Sequence, residues 1–125
     1  MPRTRMLVPL VVVVGTLAML GLALPPLFLL VDEIAVPPAS ALPALPDGAR
    51  VLGQQLGCGS GGCWQEVTVA APEGMSGDEL AEQVLPEGRT SAFRSIVDLR
   101  RVSSGVIDAD AESARFFVQY DRWID

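Results

Sequence analysis

The hydrophobic pattern of the chain begins with an uncharged apolar run from Met6 to Val31. As a helix rising about 1.5 Å per residue, this run would reach about 39 Å, and a bilayer core of about 30 Å needs only about 20 apolar residues. Met6 to Leu24 nearly suffices alone, and Pro25-Pro26 is expected to disfavour further regular helix. The pattern predicts one transmembrane helix within residues 6–31, with its outer end at the prolines.

The charges that flank the apolar run predict its orientation. Arg3 and Arg5 precede the run, whereas Asp32 and Glu33 follow it. The positive-inside rule therefore predicts a cytoplasmic tail of residues 1–5, a single-pass anchor in the cell membrane and an extracytoplasmic C-terminal part. A cleaved signal peptide, which would make the protein secreted, is the alternative, but the run exceeds the usual apolar region of about 7–15 residues.

Residues 32–48 have the composition of a linker. Four prolines fall between Val36 and Pro46, a density that favours polyproline II structure. We expect this segment to be a semi-rigid extracytoplasmic spacer that holds the domain of residues 49–125 away from the membrane.

Alternating apolar positions after the linker predict a hairpin. Arg50 to Leu56 forms a strand candidate with Leu52 and Leu56 on one side, and four glycines in residues 57–63 provide a turn. On the return strand, Val67 and Val69 are expected to face the core.

A helix and further strands follow the hairpin. Ser76 and Glu79 form a predicted capping box, and one face of the helix that follows carries Leu80, Ala81, Val84 and Leu85. Residues 93–101 fit helix or strand, so we place a strand within 96–107 without fixing its bounds. Residues 114–124 form the best strand candidate, with Phe116, Val118 and Tyr120 on one side. The predicted fold class is α+β, in which a two-layer ββαββ domain with an antiparallel sheet and one helix follows the transmembrane helix.

The composition narrows the function classes. The net charge is −6, the chain contains no lysine and no histidine, and seven arginines stand against fifteen acids beyond the apolar run. This balance disfavours nucleic acid as a partner. The missing bases leave only carboxylate chemistry, so we expect neither an enzyme nor a cofactor. An arginine-only, Ala- and Gly-rich composition is typical of GC-rich bacterial genomes.

The two cysteines are expected to form a structural disulfide. Cys58 and Cys63 are the only cysteines in the chain, and an even pair outside the cytoplasm oxidises readily. A zinc site would need further cysteine or histidine ligands. Asp108, Asp110 and Glu112 follow the spacing of half a calcium loop, but Ser113 and Gln119 stand where such a loop has glycine and glutamate. We therefore interpret these acids as a solvated turn and expect no metal.

Three aromatic residues give the only positive indication of function. Trp64, Phe117 and Trp123 fall on the strand positions opposite the core-facing ones, and exposed aromatic patches mark partner surfaces. The leading hypothesis is an interaction module of a bacterial cell envelope, anchored in the lipid bilayer by residues 6–31, that presents an aromatic sheet face or an edge strand to another envelope protein or to a second copy of itself. The alternative is a small-ligand sensor or inhibitor domain that uses the disulfide loop.

Overall fold

The computed structural model describes residues 2–28, 32 and 34–122. The first helix, α1, is followed by a short 3₁₀ turn, five strands and a second helix, α2. In chain order the elements are α1 (Pro2–Phe28), the 3₁₀ turn (Ala39–Ala41), β1 (Arg50–Gly59), β2 (Gly62–Ala70), α2 (Gly77–Val84), β3 (Arg89–Phe93), β4 (Arg101–Ala109) and β5 (Ser113–Tyr120).

Helix α1 is long and apolar enough to cross a membrane, and none of its apolar stretch is buried against the rest of the protein. Signal sequences share these properties. The stretch Met6–Phe28 has 23 residues and therefore spans about 34 Å. The helix does not end at Pro25-Pro26 as predicted but continues to Phe28. Proline fixes φ near the helical value, so Pro25 and Pro26 remain within the helix although the pair removes two backbone hydrogen-bond donors.

The sheet is antiparallel and has the strand order β1-β2-β5-β4-β3, which leaves β1 and β3 at its edges. It contains five strands where four were predicted, because the short strand β3 pairs with β4 along its whole length. Residues 94–100, in the region left open between helix and strand, form the loop between β3 and β4. The predicted strand within 96–107 is β4, which begins later and runs further.

The main core lies between α2 and the central strands. The predicted capping box is present, since Ser76 accepts from the backbone N–H of Glu79 while the Glu79 side chain accepts from that of Ser76. The apolar helix face then packs on one face of the sheet, as predicted. This cluster of buried side chains comprises Leu80, Ala81, Val84 and Leu85 from the helix side and Val67, Val69, Ala114 and Phe116 from the strands.

A second core cluster lies beside α2 on the same face of the sheet, and the proline-rich segment covers it. Ala35, Ala41 and Leu42 pack against a cluster of Val102, Val118 and Tyr120, and Pro37 is fully buried. In the structure, residues 35–42 of the predicted spacer thus pack on the domain. Prolines carry no backbone N–H to satisfy, so an extended proline-rich chain can lie on an apolar sheet face and complete a layer that one eight-residue helix leaves unfinished.

Candidate interaction surface

The hairpin of β1 and β2 is stapled at its turn. Cys58 and Cys63 form the predicted disulfide and lie directly opposite each other in the strand register. Gly62 has a φ of 106°, a left-handed conformation that glycine adopts without strain. The bridge joins strand positions one pair from the turn, so it restrains the end of β1.

Trp64 lies on the sheet face away from α2. Its indole covers Gly57, its directly paired neighbour on β1, so closely that a Cβ on that glycine would lie within 3.0 Å of the ring. The indole Nε1 donates a 3.0 Å hydrogen bond to Glu66 on the same strand. A flat aromatic ring thereby fills the place of the missing side chain beside the edge of the sheet.

Phe117 occupies the same face but lies over the opposite neighbouring strand. It covers its paired glycine on β4, Gly105, and the guanidinium of Arg89 lies 5.8 Å from its ring centroid. Trp64 and Phe117 thus lean towards opposite edges of the sheet instead of forming one aromatic patch. Trp123, the third residue of the hypothesis, lies outside the described residues.

Strand β1 exposes an unpaired edge. All but one of its ten residues are exposed, and Leu52 and Leu56 keep 60% and 57% of their surface accessible. Leu52 lies at a bulge, where the register with β2 shifts between Val51 and Gly53. Arg50 is the only charged residue of the strand. Apart from this bulge and Arg50 at its first position, β1 therefore lacks the charges and prolines with which sheet edges usually prevent pairing.

The other edge is short and bears arginines. Strand β3 has five residues against ten in β1, and Arg89 begins it. Arg101 of the paired strand lies 5.5 Å from the ring centroid of Phe93. Ser91 donates a 2.6 Å hydrogen bond to Asp121, and Ser103 donates a second one to the other oxygen of that carboxylate. These devices make β3 the poorer template for a further strand.

A half-open cavity of about 650 Å³ lies on the aromatic face, between the disulfide turn and β3. Its wall contains Trp64, Phe93 and three arginines, with one carboxylate that the two serines already engage. The arginines are Arg89, Arg101 and Arg122, and the carboxylate is Asp121. The guanidinium groups of the arginines suit an anionic ligand such as a carboxylate or a phosphate.

Two of the three acids that follow the spacing of half a calcium loop have structural partners. Asp108 forms an ion pair with Arg115, and the hydrogen bond from this guanidinium lowers the pKa of Asp108. Asp110 accepts 2.8 Å hydrogen bonds from the backbone N–H groups of Glu112 and Ser113, which lower its pKa. The two carboxylates thus stabilise the β4–β5 turn. The described residues include no group of three or more metal-ligating side chains.

Sequence reasoning placed Trp64 and Phe117 on one face but missed the edge position of β1. One signal was available in the sequence of Arg50–Gly59. This stretch has a single charge, and its three aliphatic residues do not alternate strictly with polar ones, as they would in a strand with one face covered. No family model, curated protein or solved structure matches the chain. The functional argument therefore depends on the residues themselves.

Proposed function

We propose that the protein is a single-pass, membrane-anchored interaction module of a bacterial cell envelope, with its N-terminus in the cytoplasm and its domain outside. Its task in this proposal is to bind an extended segment of another envelope protein along β1. The observation that carries the proposal is the exposed, nearly uncharged edge of this ten-residue strand. Strand addition at such an edge satisfies the backbone N–H and C=O groups of both partners.

The side chains around the edge fit this mode of binding. Val51 and Leu56 point to the α2 side of the sheet yet stay exposed, because α2 does not extend over β1. On the other side, Gly57 offers no side chain and Trp64 forms the surface in its place. A strand added beside β1 would therefore meet aliphatic side chains on one face and an indole on the other. Tryptophan is among the residues that contribute most to binding.

A partner protein fits better than a second copy of the chain. If two copies paired through β1 about a two-fold axis, the two strands would be antiparallel. The two domains would then point in opposite directions along the strands. Arg122 Nη2 donates to the backbone carbonyl of Asp32 at 3.4 Å, so one end of each domain lies next to its own anchor. Two reversed domains would not both keep that end at one membrane. We further propose a binding role without catalysis, since the chain has no histidine or lysine to act as a base.

Site-specific photocrosslinking in native membranes tests the proposal. A photoreactive amino acid replaces Leu52 or Leu56 in the full-length chain, and the matched control replaces Thr90 on the opposite edge strand. We expect one discrete protein adduct from both β1 positions and none from Thr90. The crosslinked peptide of the partner, once synthesised, should bind the purified chain, and this binding should be lost in Leu56→Lys, which adds a charge to the edge.

Two results would contradict the proposal. The same adducts from the β1 positions and from Thr90 would indicate non-specific crosslinking to nearby proteins. Adducts that contain only a second copy of the chain would show that β1 mediates self-association and not the binding of a different protein. Leu56→Lys should leave the thermal midpoint of the chain unchanged, because Leu56 is exposed, so a loss of binding in this variant reports on the edge and not on the fold.

The cavity supports a second candidate function, the binding of a small anionic molecule. Three arginines face one carboxylate there, and the disulfide turn borders the cavity through Gly61, in line with the ligand-sensor alternative. Pyrophosphate and citrate are suitable probes because both present several anionic oxygens. Either should raise the thermal midpoint of the wild type, and Arg101→Gln should reduce the rise. An unchanged midpoint at millimolar probe concentration would rule out this candidate.

A further inference from the structure

Among the described residues outside α1, the loop between β3 and β4 carries two of the three most accessible large apolar side chains, the third being Ile34 at 71%. Ile96 keeps 92% of its surface accessible and Val97 keeps 70%. They occupy adjacent positions at the tip of residues 94–100. Transfer of apolar side chains of this size from water to an apolar environment is favourable. Their joint exposure at the tip of one loop therefore indicates a binding surface.

The loop holds this tip in a defined shape. The backbone N–H of Arg94 donates to the carbonyl of Arg100 at 2.9 Å, and the Ser95 hydroxyl accepts from the N–H groups of Val97 and Asp98 at 3.3 and 3.0 Å. Asp98 binds the guanidinium of Arg100 at 2.6 Å. Internal hydrogen bonds therefore preorganise the loop, which reduces the conformational entropy lost when the tip binds.

The tip lies at the end of the domain that adjoins α1. Arg94 donates to the Tyr120 hydroxyl at 3.4 Å, and the Arg100 guanidinium lies 4.7 Å from the Tyr120 ring centroid. Tyr120 belongs to the core cluster on which Ala35 packs, and residue 35 follows the end of α1 closely. The backbone N–H of Asp32 donates to the carbonyl of Phe28, the last residue of α1, at 2.9 Å.

The charge around the tip is opposite in sign to that of the whole domain. Residues 94–101, which comprise the loop and the first residue of β4, contain three arginines and one aspartate, a net charge of +2, whereas the chain carries −6. The arginines are Arg94, Arg100 and Arg101, and the aspartate is Asp98. Arginines around an apolar tip match a layer of anionic headgroups above an acyl core.

We infer that the β3–β4 loop docks on the outer surface of the membrane that α1 crosses, with Ile96 and Val97 at the boundary between headgroups and acyl chains and the arginines at anionic lipid phosphates. The inference rests on the anchoring part of the proposed function and not on the β1 edge. It follows from the proline-rich segment, which lies on the sheet instead of extending as a spacer and so keeps this end of the domain at the membrane. A docked loop fixes the orientation of the domain and directs β1 to one side.

Depth-dependent fluorescence quenching in reconstituted vesicles tests the inference. The full-length chain carries Ile96→Trp, and the matched control carries Ala111→Trp in the exposed β4–β5 turn at the opposite end of the sheet. Vesicles contain phosphatidylglycerol with brominated acyl chains, and the emission of the parent chain is subtracted. We expect a shift of the added emission to shorter wavelength and its loss by quenching for Ile96→Trp, with neither effect for Ala111→Trp. Val97→Trp should behave like Ile96→Trp.

The outcomes separate the inference from the anchoring on which it rests. If the chain floats with the vesicles but Ile96→Trp and Val97→Trp are no more quenched than Ala111→Trp, docking is overturned while the anchor stands. If the chain does not float with the vesicles, both are overturned. Equal quenching in brominated phosphatidylcholine would overturn the role of the arginines. Protection of the tip in native membranes but not in vesicles would assign it to a protein instead.

Discussion

Replacing Leu42 by alanine tests whether the proline-rich segment is a layer of the domain. Leu42 packs against both core clusters, the one under α2 and the one beside it. Full burial makes a Leu→Ala change cost about 2–5 kcal/mol, and Leu42 is partly buried, so we expect a loss of about 1–2 kcal/mol in the free energy of unfolding. For a domain of this size the thermal midpoint should fall by about 5–10 °C.

The control for this prediction is Leu52→Ala, the same chemical change at an exposed site. Its cost should be about 0.5 kcal/mol or less. Thermal unfolding of the full-length chain in mild detergent, followed by circular dichroism of the sheet, measures both. Equal midpoints for Leu42→Ala and Leu52→Ala would refute the packing of the segment and restore the spacer interpretation, together with a greater distance between the domain and the membrane.

Two further substitutions test the aromatic face and the β3–β4 loop. Gly105→Ala places a methyl group against the Phe117 ring and should lower the free energy of unfolding by about 1–3 kcal/mol. In a Phe117→Ala background we expect this loss to be smaller by about 1 kcal/mol. Additive losses for the two substitutions in urea unfolding would contradict the contact. The hydrogen bond from Arg100 lowers the pKa of Asp98, so Asp98 stabilises the fold above its unfolded pKa of about 3.9 and this stabilisation is lost as the pH falls through the lowered folded value. Asp98→Asn should therefore lower the thermal midpoint at neutral pH, with a difference that closes as the pH falls through the lowered pKa of Asp98; a difference that persists in strong acid would contradict the ion pair.

Elements with local signals were predictable from the sequence. The capping box at Ser76 and Glu79 identified the start of α2, because helix termini must satisfy backbone groups with nearby residues. The disulfide followed from there being only two cysteines. The core positions Val67, Val69 and Phe116 followed from alternation along their strands.

Elements that depend on distant residues were not predictable. Strand β3 has only five residues, and its pairing with β4 determines that it is a strand. The layer formed by Pro37 and Leu42 depends on how much of the sheet α2 leaves uncovered. The positions of Trp64 and Phe117 over glycines depend on strand register, which one strand does not reveal. The edge position of β1 is likewise a property of the whole sheet.

Hydrogen exchange along β1 tests the central claim most directly. The full-length chain is labelled once in its native membranes and once after purification in detergent, and exchange is read by mass spectrometry. The account predicts that amides of Arg50–Gly59 exchange more slowly in native membranes, where the partner strand is bound, while amides of Arg89–Phe93 on the opposite edge exchange equally in both. Equal exchange of the β1 amides in both preparations would contradict the claim that this edge is the binding site.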